Sequence, residues 1–300
     1  MKLLFGFFVS VLLFYSSVKS QVRQETLTYA DTLGMDIFWK ASATNQLPVL
    51  IYVHGGGFSG GVRDSKRNIE FCKYFAEKGW LVATISYHLT QKGIGFGCEV
   101  PVQDKINTFR SVSINIHQAV AYLMKNKMAM INPNRIVLAG SSAGAEAILH
   151  AAYWKETSKE ILPEHFSYAG LISMAGAMID LNWINEDTVI PSQFFHGTCD
   201  PLVPFGNASH HYCAANDNGF MMLYGPEPII ERMDQLNVPY YLVADCGGGH
   251  EWAGKPVGKD YIHYVEDFLT NNILKQLNKK THVVLNKGER NCASSLAVCE

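Results

Sequence analysis

Gly140-Ser-Ser-Ala-Gly144 follows a short apolar run at 136–139 and opens a helical pattern at Ala143. A G-x-S-x-G at a strand-to-helix junction makes a turn so tight that its central residue projects above the sheet, a nucleophile elbow. Here that residue is Ser142. Ser141 lies off the centre of the turn and reads as structural. Gly57-Phe-Ser-Gly-Gly61 fits the same pattern, but Ser59 sits several residues past a strand end and before any helix, so it reads as loop. His54-Gly-Gly-Gly57 directly follows the apolar run 48–53. Glycines there let a substrate oxygen reach backbone N–H groups, and the expected oxyanion donors are Gly56, Gly57 and Ala143. His54 is expected to orient this loop. The phosphate-cradling glycine patterns are absent.

A serine nucleophile needs a base, and the base needs an acid to fix its tautomer. In this arrangement both follow the nucleophile in the chain. His196-Gly-Thr-Cys-Asp-Pro places Asp200 just after a strand, and Cys246-Gly-Gly-Gly-His places His250 after the next one. Asp245 is the serious rival for the acid. Asp200 is preferred because the acid must come from a loop neighbouring that of the base. His196, His263 and His282 read as structural or solvated. His210-His211-Tyr-Cys213 is a poor metal site, since adjacent ligands seldom face one ion, and no metal is expected.

The elements that must hold these residues are legible in the hydrophobic pattern. Short apolar runs without polar alternation lie at 48–53, 80–85, 136–139, 169–175, 194–195 and 240–244. Strands apolar on both faces belong inside a parallel sheet covered by helices. Helical spacing predicts helices over 64–78, around 112–123, and over 143–154, 228–236 and 259–277. Residues 25–29 and 35–40 read as a leading antiparallel pair. This alternation specifies an α/β fold on one sheet. Two connections, 87–107 and 201–227, are long, and both follow strand ends where such a sheet places ligands. Residues 279–300 read as an appended tail.

The 300 residues are 48% hydrophobic and 17% charged, enough for a large core and unlike a disordered chain. With 25 Lys and Arg against 27 Asp and Glu, the basic footprint of a nucleic-acid binder is missing. Lys2, a 3–15 apolar run and small residues to Ser20 predict an export signal cut before Gln21. The run is shorter than the ~20 residues of a membrane span. The remaining chain is therefore expected to be secreted or periplasmic, without stable membrane association. Seven cysteines leave at least one free or paired with another chain. Cys199 and Cys246, on loops after adjacent strands, are one expected disulfide; Cys213–Cys246 and two free thiols are the alternatives.

His54-Gly-Gly-Gly-Phe58, Tyr87-His-Leu, Gly140-Ser-Ser-Ala-Gly144, His196-Gly-Thr-x-Asp200 and Gly249-His-Glu-Trp252 together resemble the α/β-hydrolase carboxylesterases. The nearest likeness is to small secreted bacterial esterases of the feruloyl and acetylxylan type, over about 25–277. That resemblance implies an eight-stranded, mostly parallel sheet, a Ser142–Asp200–His250 triad and no cofactor. The implied substrate is a small-molecule or polysaccharide-linked ester. Tyr87-His-Leu departs from the Tyr-Arg-Leu of many relatives, so no salt bridge carries over from that Arg. An exopeptidase of prolyl-oligopeptidase type and a non-catalytic recognition protein are the rival readings. The first usually adds a gating domain for which about 280 residues leave no room, and the second predicts a missing nucleophile or base.

Overall fold

Apolar residues dominate the runs that form the sheet, in a computed structural model that describes residues 21–44, 46–292 and 297–299. The expected leader, 1–20, lies outside them. β1 (Val22–Ala30) and β2 (Leu33–Lys40) pair antiparallel, as expected of the leading segments. β3 (Leu47–Val53), β4 (Leu81–Ile85), β5 (Ile131–Ser141), β6 (Gly170–Met174) and β7 (Ser192–Gly197) follow, separated by helices. A small antiparallel pair, β8 (Asn207–Ser209) and β9 (Met222–Tyr224), precedes β10 (Tyr240–Asp245) and β11 (Thr281–Leu285). The main sheet runs β1-β2-β4-β3-β5-β6-β7-β10-β11. From β4 to β11 every neighbouring pair is parallel.

Successive side chains of a strand face opposite sides, so β3 feeds two cores. Val49 and Ile51 belong to the core shared with α2 (Val102–Asn126), α3 (Ala143–Tyr153) and α4 (Pro226–Gln235). Leu50 and Tyr52 pack under α1 (Lys66–Glu77) and α5 (Ile262–Phe268). The chain has the mostly parallel, helix-flanked sheet of the sequence reading, with nine strands where eight were implied. The additional strand is β11, from the segment read as a tail. Its Thr281–Leu285 pairs in parallel with β10, so these five residues belong to the sheet.

The two long connections carry structure of their own. The last residues of 87–107 are the first turns of α2, which begins at Val102 after Pro101. The 201–227 segment contains β8 and β9 and is tied to the other by Cys98–Cys213. Among the described residues no helix is long and apolar enough to cross a membrane.

Candidate active site

The elbow is held by backbone strain that its neighbours enforce. Ser142 sits at φ 52°, ψ −123°, a conformation costly for any residue with a Cβ. Its amide donates to Met174 O at 2.8 Å, and the Ala145 and Glu146 amides close on Ser142 O at the start of α3. The flanking glycines are obligatory for contact reasons. A Cβ on Gly144 would stand 2.2 Å from Val53 O, and one on Gly140 2.3 Å from Gly144 O.

Ser142 Oγ donates to His250 Nε2 at 2.8 Å, and His250 Nδ1 donates to Asp200 Oδ2 at 2.7 Å. Asp200 is buried, and its other oxygen accepts from the Leu202 and Val203 amides at 2.9 and 3.1 Å. Burial by itself raises that carboxyl. The His250 hydrogen bond, His196 at 3.5 Å and the Leu202 amide outweigh it and hold the group below the usual carboxylate range. His196 donates from Nε2 to Val203 O, bracing the turn that carries Asp200.

Asp245, the rival acid, is fully buried and turned elsewhere. It accepts from Trp252 Nε1 at 2.9 Å and from the Lys287 and Gly288 amides at 2.8 and 3.2 Å. Ser141 Oγ donates to Ala253 O. Ser59 Oγ donates within its own turn, to Gly56 O.

The glycine loop after β3 faces the elbow. Among the described residues the amides of Gly56, Gly57 and Ala143 are not spent on another backbone carbonyl, so they are available to an oxyanion. The loop is shaped by His54, which is buried, stacks on Tyr87 at 4.4 Å and donates from Nδ1 to Gly55 O. The Tyr87 hydroxyl donates to His54 O at 2.9 Å. A cavity of about 440 Å³ opens beside Ser142 and His250, walled by Gly55, Gly56, Arg67, Gly254 and Val257.

Sequence reasoning missed two features around this centre. Glu146, one turn beyond Ser142, is buried with its Oε1 3.4 Å from His210 Nε2. Lys105 Nζ lies 3.3 Å from His210 Nδ1 and donates to Gly219 O. Burial and the charge of Asp200 push the Glu146 carboxyl up to about 8, against the pull of Lys105. Burial likewise holds His210 well below the ordinary imidazole range. The three residues lie 41 to 105 positions apart, and only helical phase in α2 and α3 marks Lys105 and Glu146 as inward-facing.

The second missed feature is the C-terminal segment. The Cys199–Cys246 disulfide does not form. Instead Cys199 pairs with Cys292 and Cys246 with Cys299. β7 and β10 are adjacent, and their loops do meet, with the Cys199 amide donating to Gly248 O at 2.8 Å. The chain leaving β11 then crosses both loops and supplies a closer partner for each thiol. Arg290 adds an ion pair to Glu251 at 3.0 Å, and its amide donates to Gly247 O. Cys213 is taken by Cys98, so the thiolates of the Cys98, Cys213 and Asp217 cluster are not free for a metal. Cys72, buried in α1, is the unpaired thiol.

The architecture is similar to that of solved esterase structures. Esterase 2 of Thermogutta terrifontis, phosphorylated by paraoxon, superposes with a TM-score of 0.59 over 83% of this chain and 94% of that one, at 18% identity. Esterase B of Lactobacillus Rhamnosis gives 0.57 over 85% and 87%, at 15% identity. The chain is an α/β-hydrolase in fold. The BD-FAE family model matches residues 35–172 of this chain, from within β2 to within β6. Two curated relatives are Esterase B1 of Culex pipiens, 24% identical over 166 residues, and Gut esterase 1 of Caenorhabditis elegans, 29% identical over 146. These matches cover 54% and 47% of the chain but only 30% and 25% of the relatives' own lengths.

Proposed function

We propose that this α/β-hydrolase is an exported serine carboxylesterase that works through an acyl-enzyme on Ser142. The observation that carries the reading is the continuous hydrogen-bond chain from Ser142 Oγ through His250 to Asp200. His250 Nε2 takes the Ser142 proton as the oxygen attacks the ester carbonyl, and Asp200 steadies the imidazolium that forms. The Gly56, Gly57 and Ala143 amides receive the negative oxygen, each donor worth about 10²–10³ in kcat. His250 then gives its proton to the departing alcohol, and water repeats the sequence to release the acid. The similarity to esterases supports the reaction class, including an esterase B inhibited by a tributyrin phosphonate. Three disulfides support an oxidising destination, in keeping with the expected leader.

The test is p-nitrophenyl acetate hydrolysis and fluorophosphonate labelling of wild type and Ser142→Ala. Wild type should turn over and label at Ser142. Ser142→Ala should stay folded, fail to label and lose several orders of magnitude in kcat, with Ser59→Ala and Ser141→Ala within about tenfold of wild type. Near-normal turnover by Ser142→Ala overturns the mechanism. Faster cleavage of aminoacyl-p-nitroanilides than of esters overturns the substrate class.

A further inference from the structure

The cleft beside Ser142 adjoins a second one. Arg67 and Val257, which close it, also line a second cavity of about 770 Å³ between α1 and α5. That volume lies in the range of about 300–1,000 Å³ typical of small-molecule sites. Its floor is apolar, made by the buried Phe71, Val257 and Ile262. Tyr74 forms a side wall, held in place because its hydroxyl donates to Glu266 at 2.5 Å. Arg67 NH2 donates to Gly254 O at 2.6 Å across the junction, joining α1 to the segment that leaves His250.

The chemistry of the proposed reaction says which part of a substrate reaches this space. The departing alcohol must take its proton from His250 Nε2, so it leaves on the imidazole side of the carbonyl. On that side the wall is Ala253, Gly254 and Val257, the chain directly following the base. A group attached to the alcohol oxygen is therefore directed along 253–257 toward Arg67 and the apolar floor beyond.

We propose, resting on the esterase reading above, that the cavity between α1 and α5 binds the alcohol portion of the substrate, an alcohol bearing an aryl or extended alkyl group. A short alcohol ends before Val257 and gains nothing from the second cavity. An aryl or extended alkyl group that reaches past Val257 buries itself against Phe71, Ile262 and Tyr74. Tyr74 and Ile262 are thus specificity-determining residues, remote from the bonds that change.

The experiment compares kcat/KM for methyl butyrate and 2-(2-naphthyl)ethyl butyrate, with free 2-(2-naphthyl)ethanol as inhibitor. Wild type should favour the naphthyl ester by tenfold or more, and the free alcohol should inhibit competitively. Ile262→Trp, which fills the floor, and Tyr74→Ala, which removes the wall, should each lower that preference about tenfold and weaken inhibition in parallel. Two variants that alter the cavity in opposite senses guard against one that folds poorly. No preference in wild type, or a preference unchanged in both variants, overturns the subsite while methyl butyrate turnover leaves the esterase reading intact. Failure of wild type to hydrolyse either ester or to label with fluorophosphonate overturns the esterase reading instead.

Discussion

Removing the two disulfides of the C-terminal segment, as Cys292→Ser with Cys299→Ser, should weaken both the fold and the catalytic geometry. The bonds close loops with sequence separations of 93 and 53 residues. On chain entropy alone, such loops stabilise by about 4.6 and about 4.2 kcal/mol. The loops overlap, so the second bond constrains less than its isolated figure and the sum is an upper bound. A loss of about 4 kcal/mol corresponds to a fall in Tm of roughly 8–16 °C for a domain of this size. The kinetic consequence follows from position. Cys199 immediately precedes Asp200, and Cys246 lies four residues before His250 on the loop that Gly288 and Arg290 also grip. Loosening those loops lets the Asp200–His250 hydrogen bond lengthen, and misplacement by about 1 Å costs on the order of 10² in rate. Thermal melts and p-nitrophenyl acetate kinetics of oxidised wild type and the double variant measure both effects. Cys98→Ser with Cys213→Ser is the control, expected to lose comparable stability with a much smaller loss of kcat. An unchanged Tm would refute the constraint. A lowered Tm with unchanged kcat would refute the positioning argument.

Asp200→Asn should reduce kcat by about 10⁴, because the amide cannot hold the imidazole in the required state. Asp245→Asn should lose about 1–3 kcal/mol through a mismatched buried acceptor while keeping kcat within about tenfold. Denaturant melts with steady-state kinetics separate them, and equal kinetic loss in both would sink the assignment of the acid. In the oxyanion loop, Gly56→Ala places a Cβ 2.3 Å from Gly60 O at φ +126°, whereas at Gly57 the nearest atom is Ser59 Oγ at 3.7 Å. Gly56→Ala should cost about 10² or more in kcat, and a Gly57→Ala loss exceeding it would contradict the loop geometry. Glu146 supplies a pH dependence of stability. Its carboxyl, raised to about 8, keeps its proton in the folded state at pH values where the unfolded chain, near 4.5, has released it. The stabilisation is complete below about 4.5 and is lost as pH rises toward 8. Glu146→Gln stays neutral, so its Tm should gain on wild type between pH 5 and pH 8.5. A constant difference across that range would show that Glu146 is ionised throughout.

The parts of this protein whose physics is local are legible in the chain before it folds. Apolar runs such as 48–53 and 240–244 lack polar alternation because both faces of the strand are covered, and that pattern specifies the parallel sheet. Gly140-Ser-Ser-Ala-Gly144 and His54-Gly-Gly-Gly57 are legible because close backbone approach excludes side chains at fixed spacings, whatever the rest of the chain does. Asp200 and His250 were nameable because chain order and strand ends constrain where an acid and a base can stand. Features that depend on where distant segments come to rest emerge only on packing. Residues 281–285 carry too short a pattern to announce an edge strand, yet β10 offers them a free ladder. Once β11 is in place, the chain beyond it must cross the loops after β7 and β10, and that path selects Cys292 and Cys299 over the pairing that strand adjacency alone suggested. The Lys105–His210–Glu146 cluster and the cavity between α1 and α5 were hidden for the same reason. Each is assembled from side chains far apart in sequence, whose meeting is fixed by helix packing on the sheet and leaves no periodic trace in the chain.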